Sequence, residues 1–80
     1  MPQSPQVEDI CARVAEILRS ERNDQNLSLT RLAEGASLSR QAVSYIEQGR
    51  RVPTLDTLLR ITRVLKLDAA EVIRRASGKP

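Results

Sequence analysis

Arg40 and Gln41 stand side by side, followed at helical spacing by Ser44, Tyr45 and Gln48, with Arg50 and Arg51 close behind. Arginine and glutamine carry planar groups with two hydrogen-bonding atoms at fixed separation. That pattern suits the edges of base pairs, since arginine can grip guanine through N7 and O6, and glutamine adenine through N7 and N6. Ser44 is small enough to let a helix lie close to a duplex. Tyr45 can touch a thymine methyl or donate its hydroxyl to a phosphate. The plain alternative is a solvated helix face, which would more often carry Glu and Lys in i,i+4 pairs; composition alone leaves that reading open.

Other chemistry finds little support. Histidine is absent and Cys11 is the only cysteine, so no intrachain disulfide or cysteine–histidine metal cluster is expected. No nucleophile–base pair or phosphate loop is visible, and no enzyme activity, cofactor, metal or small-molecule ligand is expected. Cys11 falls on the apolar stripe of the first helical segment and is read as a packing residue.

The formal net charge is +3, and all but two of the 13 cations are arginine, which is compatible with a polyanionic partner without requiring one. Eighty residues make one domain with a small core, a size that often gains from self-association. Tyr45 is the sole aromatic residue, and an aliphatic core suits packed helices better than a sandwich or barrel. No apolar run approaches the ~20 residues needed to span a bilayer. Met1-Pro2-Gln3-Ser4 does not begin a signal peptide, so a reducing, cytoplasmic setting is expected.

Five helical segments must position these residues, over about 5–24, 29–36, 40–48, 55–66 and 69–76. The first opens at Ser4-Pro5, and Val7, Ile10, Cys11, Val14 and Leu18 line one of its faces. Asn26 can take a left-handed conformation at its end. Three later segments share a start signal of an apolar residue, a capping side chain and an apolar residue four further on. These are Leu27-Ser28 with Leu32, Leu38-Ser39 with Val43, and Leu67-Asp68 with Val72. Glu71 extends the last into a capping box, and Thr54 caps the fourth segment. Residues 1–4 and 77–80 are expected as flexible tails. The predicted fold is all-α. With only Ser37-Leu38-Ser39 between them, segments two and three must cross steeply, as in a helix-turn-helix.

The run from Leu27 to Ile73 resembles the helix-turn-helix domain of the λ repressor/Cro (XRE) family. The resemblance lies in Leu-Ser-x-x-x-Leu-Ala-Glu at 27–34 and Leu-Ser-Arg-Gln-Ala-Val-Ser-Tyr-Ile-Glu-Gln-Gly-Arg-Arg at 38–51. Pro53-Thr54-Leu55 and Leu58-x-x-Ile61-x-x-x-Leu65 continue it. It implies a five-helix λ repressor-like bundle whose third helix reads DNA, with Arg40, Gln41, Ser44, Tyr45 and Arg51 at base-contacting positions. Ser28, Leu29 (through its backbone N–H), Ser39 and Thr54 are implied as phosphate contacts, and Arg50 in the adjoining loop is expected on a phosphate. It also implies a structural ion pair between Glu47 and Arg22. The chain departs from the family in three places. Ser37 stands where the turn normally has glycine, Leu29 where helix two usually begins with glutamine, and Thr62 where alanine is usual.

Leu59, Val64, Val72, Ile73 and Ala76 look like more apolar surface than four helices can cover, so they are expected to form a two-fold dimer interface. Arg60 and Arg63 are read as solubilising charges. The expected function is a homodimeric, sequence-specific transcriptional regulator on a pseudo-palindromic operator in double-stranded DNA, with a restriction–modification controller as one form. The alternative is an antitoxin that uses the same fold to bind DNA and a toxin protein.

Overall fold

The computed structural model describes residues 6–78. Five helices follow in order: α1 (Val7–Asp24), α2 (Leu29–Ala36), α3 (Arg40–Glu47), α4 (Leu55–Leu65) and α5 (Ala69–Ala76). No strand occurs among the described residues. Helix α2 packs mainly on α3 and α4, and α5 lies along α1.

Each corner is built by local chemistry. Helices α1 to α4 close in a Schellman motif, in which a left-handed residue lets the next N–H reach a carbonyl five residues back. Asn26, Ser37, Gly49 and Lys66 supply the left-handed residue, with φ of 54°, 59°, 75° and 60°. The returning bonds run from Leu27 to Arg22, Leu38 to Ala33, Arg50 to Tyr45 and Leu67 to Thr62, at 2.9–3.1 Å. Three of these corners then place a leucine against the core and a capping residue after it. Ser28, Ser39 and Asp68 accept from the N–H of Arg31, Ala42 and Ala70, and Thr54 caps α4 by accepting from Thr57. A cap of this kind contributes about 1 kcal/mol. Such short helices depend on it, because isolated segments of eight residues are not stable in water.

The side chains of Leu18, Leu32, Val43, Ile46, Ile61, Leu65 and Val72 are fully enclosed. Thr62 is buried too, and its hydroxyl donates to the carbonyls of Leu58 and Leu59, so no polar atom is stranded there. Gly35 sets the approach of α2 to α4, since a Cβ there would meet the Val64 methyls at 3.2 and 3.3 Å.

The structure departs from the sequence reading at several points. Val7 is 71% exposed rather than part of the packed stripe. With 18 residues α1 is about 27 Å long, and its first turn overhangs partners of 8–11 residues. The expected Ser4-Pro5 cap lies outside the described residues. The capping box at α5 is not formed, because Glu71 pairs with Arg74. Ser77 and Gly78, expected in the flexible tail, are bonded onto α5, with Ser77 Oγ donating to the Ile73 carbonyl at 2.8 Å and Gly78 N–H to Arg75.

The expected dimer interface also needs correction. Val72 and Ala76 have no exposed surface and belong to the monomer core. The long α1 covers them. It holds α5 through Arg13, which donates to the Ala76 carbonyl at 3.2 Å, and through the Glu21–Arg75 ion pair at 3.1 Å. Val64 is half-buried against Gly35. Leu59 and Ile73 remain exposed, and Leu55, four residues before Leu59 on the same face of α4, is 68% exposed.

Candidate nucleic-acid interface

Helix α3 turns Val43 and Ile46 into the core, which sends Arg40, Gln41, Ser44 and Tyr45 outward along one side. Arg40 and Gln41 are exposed, while Ser44 and Tyr45 are half-buried. The outer face is internally bonded. Gln41 Nε2 donates to the Tyr45 hydroxyl at 2.9 Å, and Gln48 Nε2 donates to Ser44 Oγ at 2.7 Å. Leu29, at the start of α2, lines a crevice with Arg40, Gln41 and Ser44, so the N-terminus of α2 stands next to this face.

The charge arrangement distinguishes these two helices from the others. Helices α1, α4 and α5 carry acids in their first turns, namely Glu8 and Asp9, Asp56, and Glu71. Helices α2 and α3 carry none. A helix N-terminus bears partial positive charge and free N–H groups, which nearby acids would partly neutralise. At α2 the Ser28 cap takes the N–H of Arg31, leaving those of Leu29 and Thr30 without an intrahelical acceptor. Positive potential is therefore left open beside the outer face of α3.

The loop after α3 adds two more cations. Gly49 turns the chain back at φ 75°, and the N–H groups of Arg50 and Arg51 both donate to the Tyr45 carbonyl, at 2.9 and 3.3 Å. The guanidinium carbons of Arg50 and Arg51 lie 5.6 and 5.7 Å from the centre of the Tyr45 ring. Arg40, Gln41, Ser44, Tyr45, Arg50 and Arg51 are thus brought together. Ser28 and Ser39 begin the adjoining helices, each with its oxygen engaged as a cap. Thr54 donates its hydroxyl hydrogen to Thr57 Oγ1 at 3.0 Å, which leaves the Thr57 hydroxyl hydrogen as the donor at that corner. Sequence reasoning missed Thr57, although its spacing of three from the cap residue is a usable signal.

Behind the face, Arg22 grips Glu47 through two bonds, Nε to Oε2 at 2.8 Å and Nη2 to Oε1 at 3.0 Å. Its Nη1 donates to the Leu27 carbonyl at 2.8 Å. One guanidinium therefore ties α1, the end of α3 and the α1–α2 corner. Arg60 pairs with Asp56. With Arg63 it borders a shallow crease that also touches Gly35 and Ser37, on the α2–α4 side and apart from Arg40 and Gln41.

An all-α bundle whose second and third helices meet at a tight corner defines a helix-turn-helix domain. The family pattern for the helix-turn-helix matches residues 18–72, and the chain belongs to that family in its XRE form. Among relatives, the chain is 36% identical to control protein C.SmaI of Serratia marcescens over 71 residues, covering 89% of this chain and 84% of that protein. It is 34% identical over 59 residues to uncharacterized HTH-type transcriptional regulators of Mycobacterium tuberculosis, of whose length it spans 42%. Among solved structures it is similar to the clp gene regulator ClgR of Corynebacterium glutamicum. That match has a TM-score of 0.79 and 28% identity, covering 95% of this chain and 78% of that one. The restriction–modification controller protein C.AhdI of Aeromonas hydrophila matches with a TM-score of 0.73 at 28% identity, covering 80% of this chain and 96% of that chain.

Proposed function

We propose that the chain is a sequence-specific DNA-binding regulator of transcription, acting as a homodimer on a pseudo-palindromic operator. The observation that carries this reading is the absence of acids from the first turns of α2 and α3, where Arg40 and Gln41 stand between open helix N-termini and the arginines of the following loop. Phosphates are held by the start of α2 through the Leu29 N–H, by Ser28 and Ser39, by the Thr54 corner through the Thr57 hydroxyl, and by Arg50; these contacts fix register. Arg40, Gln41, Ser44, Tyr45 and Arg51 read base edges in the major groove. Kinship with C.SmaI and C.AhdI, a control protein and a restriction–modification controller, favours that form of regulator. The reading involves no catalytic step and no cofactor, and it places the protein with the DNA in the cytoplasm. No helix among the described residues is long and apolar enough to cross a membrane.

Dimerisation is proposed through the apolar residues still exposed, with Leu55 and Leu59 on α4 and Ile73 on α5 forming the seam. Selection of bound duplexes from a random pool tests the whole reading. The expected product is a two-fold repeated sequence with half-site centres about one helical turn apart, or a multiple of it. A pool that gains no sequence over the input contradicts it.

A further inference from the structure

Two guanidinium groups attached to consecutive residues repel each other and, on a free loop, would spread into solvent. Here both sit within 6 Å of one ring centre, and Tyr45 is the only aromatic side chain in the protein. The ring face is the electron-rich surface that attracts such cations. The backbone of the same residue accepts the N–H groups of both arginines, so the loop is drawn back over Tyr45 by bonds that any residue could make. The ring then adds what only an aromatic residue supplies. At its far end the hydroxyl accepts from the Gln41 amide. That spends one of two amide hydrogens and leaves one hydrogen and the carbonyl oxygen free, the donor and acceptor types that adenine's N7 and N6 require.

We infer that Tyr45, besides the base contact proposed for it, positions other residues through two separable tasks. Its ring holds Arg50 and Arg51 together, and its hydroxyl orients Gln41. The consequence for DNA rests on the DNA-binding reading above; the hold on the arginines is a property of the free protein. Arginines already gathered lose less freedom on meeting the duplex, so the ring contributes to affinity for every sequence through Arg50 and adds to the contact that Arg51 makes. The hydroxyl contributes to preference at the base pair that Gln41 meets.

Nuclear magnetic resonance of the unbound protein tests the first task. Ring-current shifts should move the δ-methylene protons of Arg50 and Arg51 upfield in the wild type and in Tyr45→Phe, and Tyr45→Leu should return them to ordinary positions. Arginine shifts that do not change in Tyr45→Leu overturn the inference. Binding titrations test the second task. Tyr45→Leu should weaken binding to all duplexes by about five- to tenfold, and Arg50→Ala should cost less in the Tyr45→Leu background than alone. Tyr45→Phe should lose only about threefold on the selected site, with relaxed preference at one base pair per half-site. Equal losses for Phe and Leu on every sequence, or strict additivity with Arg50→Ala, also overturn it. If the ring-current shifts are present but no duplex is bound, the ring's hold on the arginines stands and the DNA-binding reading fails, so the two are told apart.

Discussion

Ser37 occupies the left-handed region at φ 59° and ψ 43°, in the corner that sets α3 against α2. A Cβ in that conformation crowds the following carbonyl at a cost of about 1 kcal/mol, which glycine avoids. Ser37→Gly should therefore raise stability by about 1 kcal/mol, read as a higher midpoint of chemical denaturation with DNA affinity nearly unchanged. Lys66→Gly should gain a similar amount, whereas Asn26→Gly should gain only a few tenths of a kcal/mol, because asparagine tolerates this region. A loss of stability in Ser37→Gly would mean that its side chain makes a bond worth more than the strain. The three residues are not equally legible in the sequence. Asn26 and Ser37 have a type or a family position that points to a left-handed turn. Lys66 has neither, and its conformation follows only from the need of Leu67 and Asp68 to begin α5.

At the scale of the helices, the sequence carries its own boundaries because caps and staples are local. The Leu-Ser and Leu-Asp starts at 27–28, 38–39 and 67–68 bring each leucine inward and each cap onto a free N–H, and α2 and α5 span the residues expected of them. Orientation between helices depends on distant residues and is less legible. Periodicity marks Val72 and Ala76 as apolar but does not say that α1, far away along the chain, covers them. It does not place Arg50 and Arg51 over Tyr45 either, since that depends on how Gly49 reverses the chain. Arg22 and Glu47 show what fixes α3 against α1. Removing one member leaves a buried charge without its partner, so Glu47→Ala should destabilise the protein by about 3 kcal/mol. Replacing both with apolar residues should cost less than removing Glu47 alone. Thermal unfolding of the two variants checks this, and a cost under about 1 kcal/mol for Glu47→Ala would show that the pair behaves as a solvated one.

For the molecule as a whole, the proposed recognition of a pseudo-palindromic operator takes two copies. One recognition helix reads too few base pairs to select a site, and a two-fold pair spaced by the protein doubles what is read. The exposed Leu55, Leu59 and Ile73 are the surface proposed for that pairing. Light scattering with size exclusion should give twice the chain mass at micromolar concentration. Leu59→Asp should lower it toward the monomer without lowering helicity, because that side chain is half exposed in the single copy. A strict monomer, both free and on DNA, would rule out the two-fold operator.

In the proposed mode of binding, α3 reads the sequence while Arg50 in the loop behind it grips the backbone. Selection of bound duplexes by the wild type, Arg40→Ala, Gln41→Ala and Arg50→Ala, with each affinity titrated against salt, separates the two roles. Arg40→Ala and Gln41→Ala should each cost about 1–3 kcal/mol on the wild-type site and relax preference at one position per half-site. Arg50→Ala should weaken binding to all sequences alike and reduce the salt slope by about one unit for each phosphate it no longer neutralises, leaving the selected sequence as it was. If Arg40→Ala and Gln41→Ala both recover the wild-type sequence, α3 is not the reader.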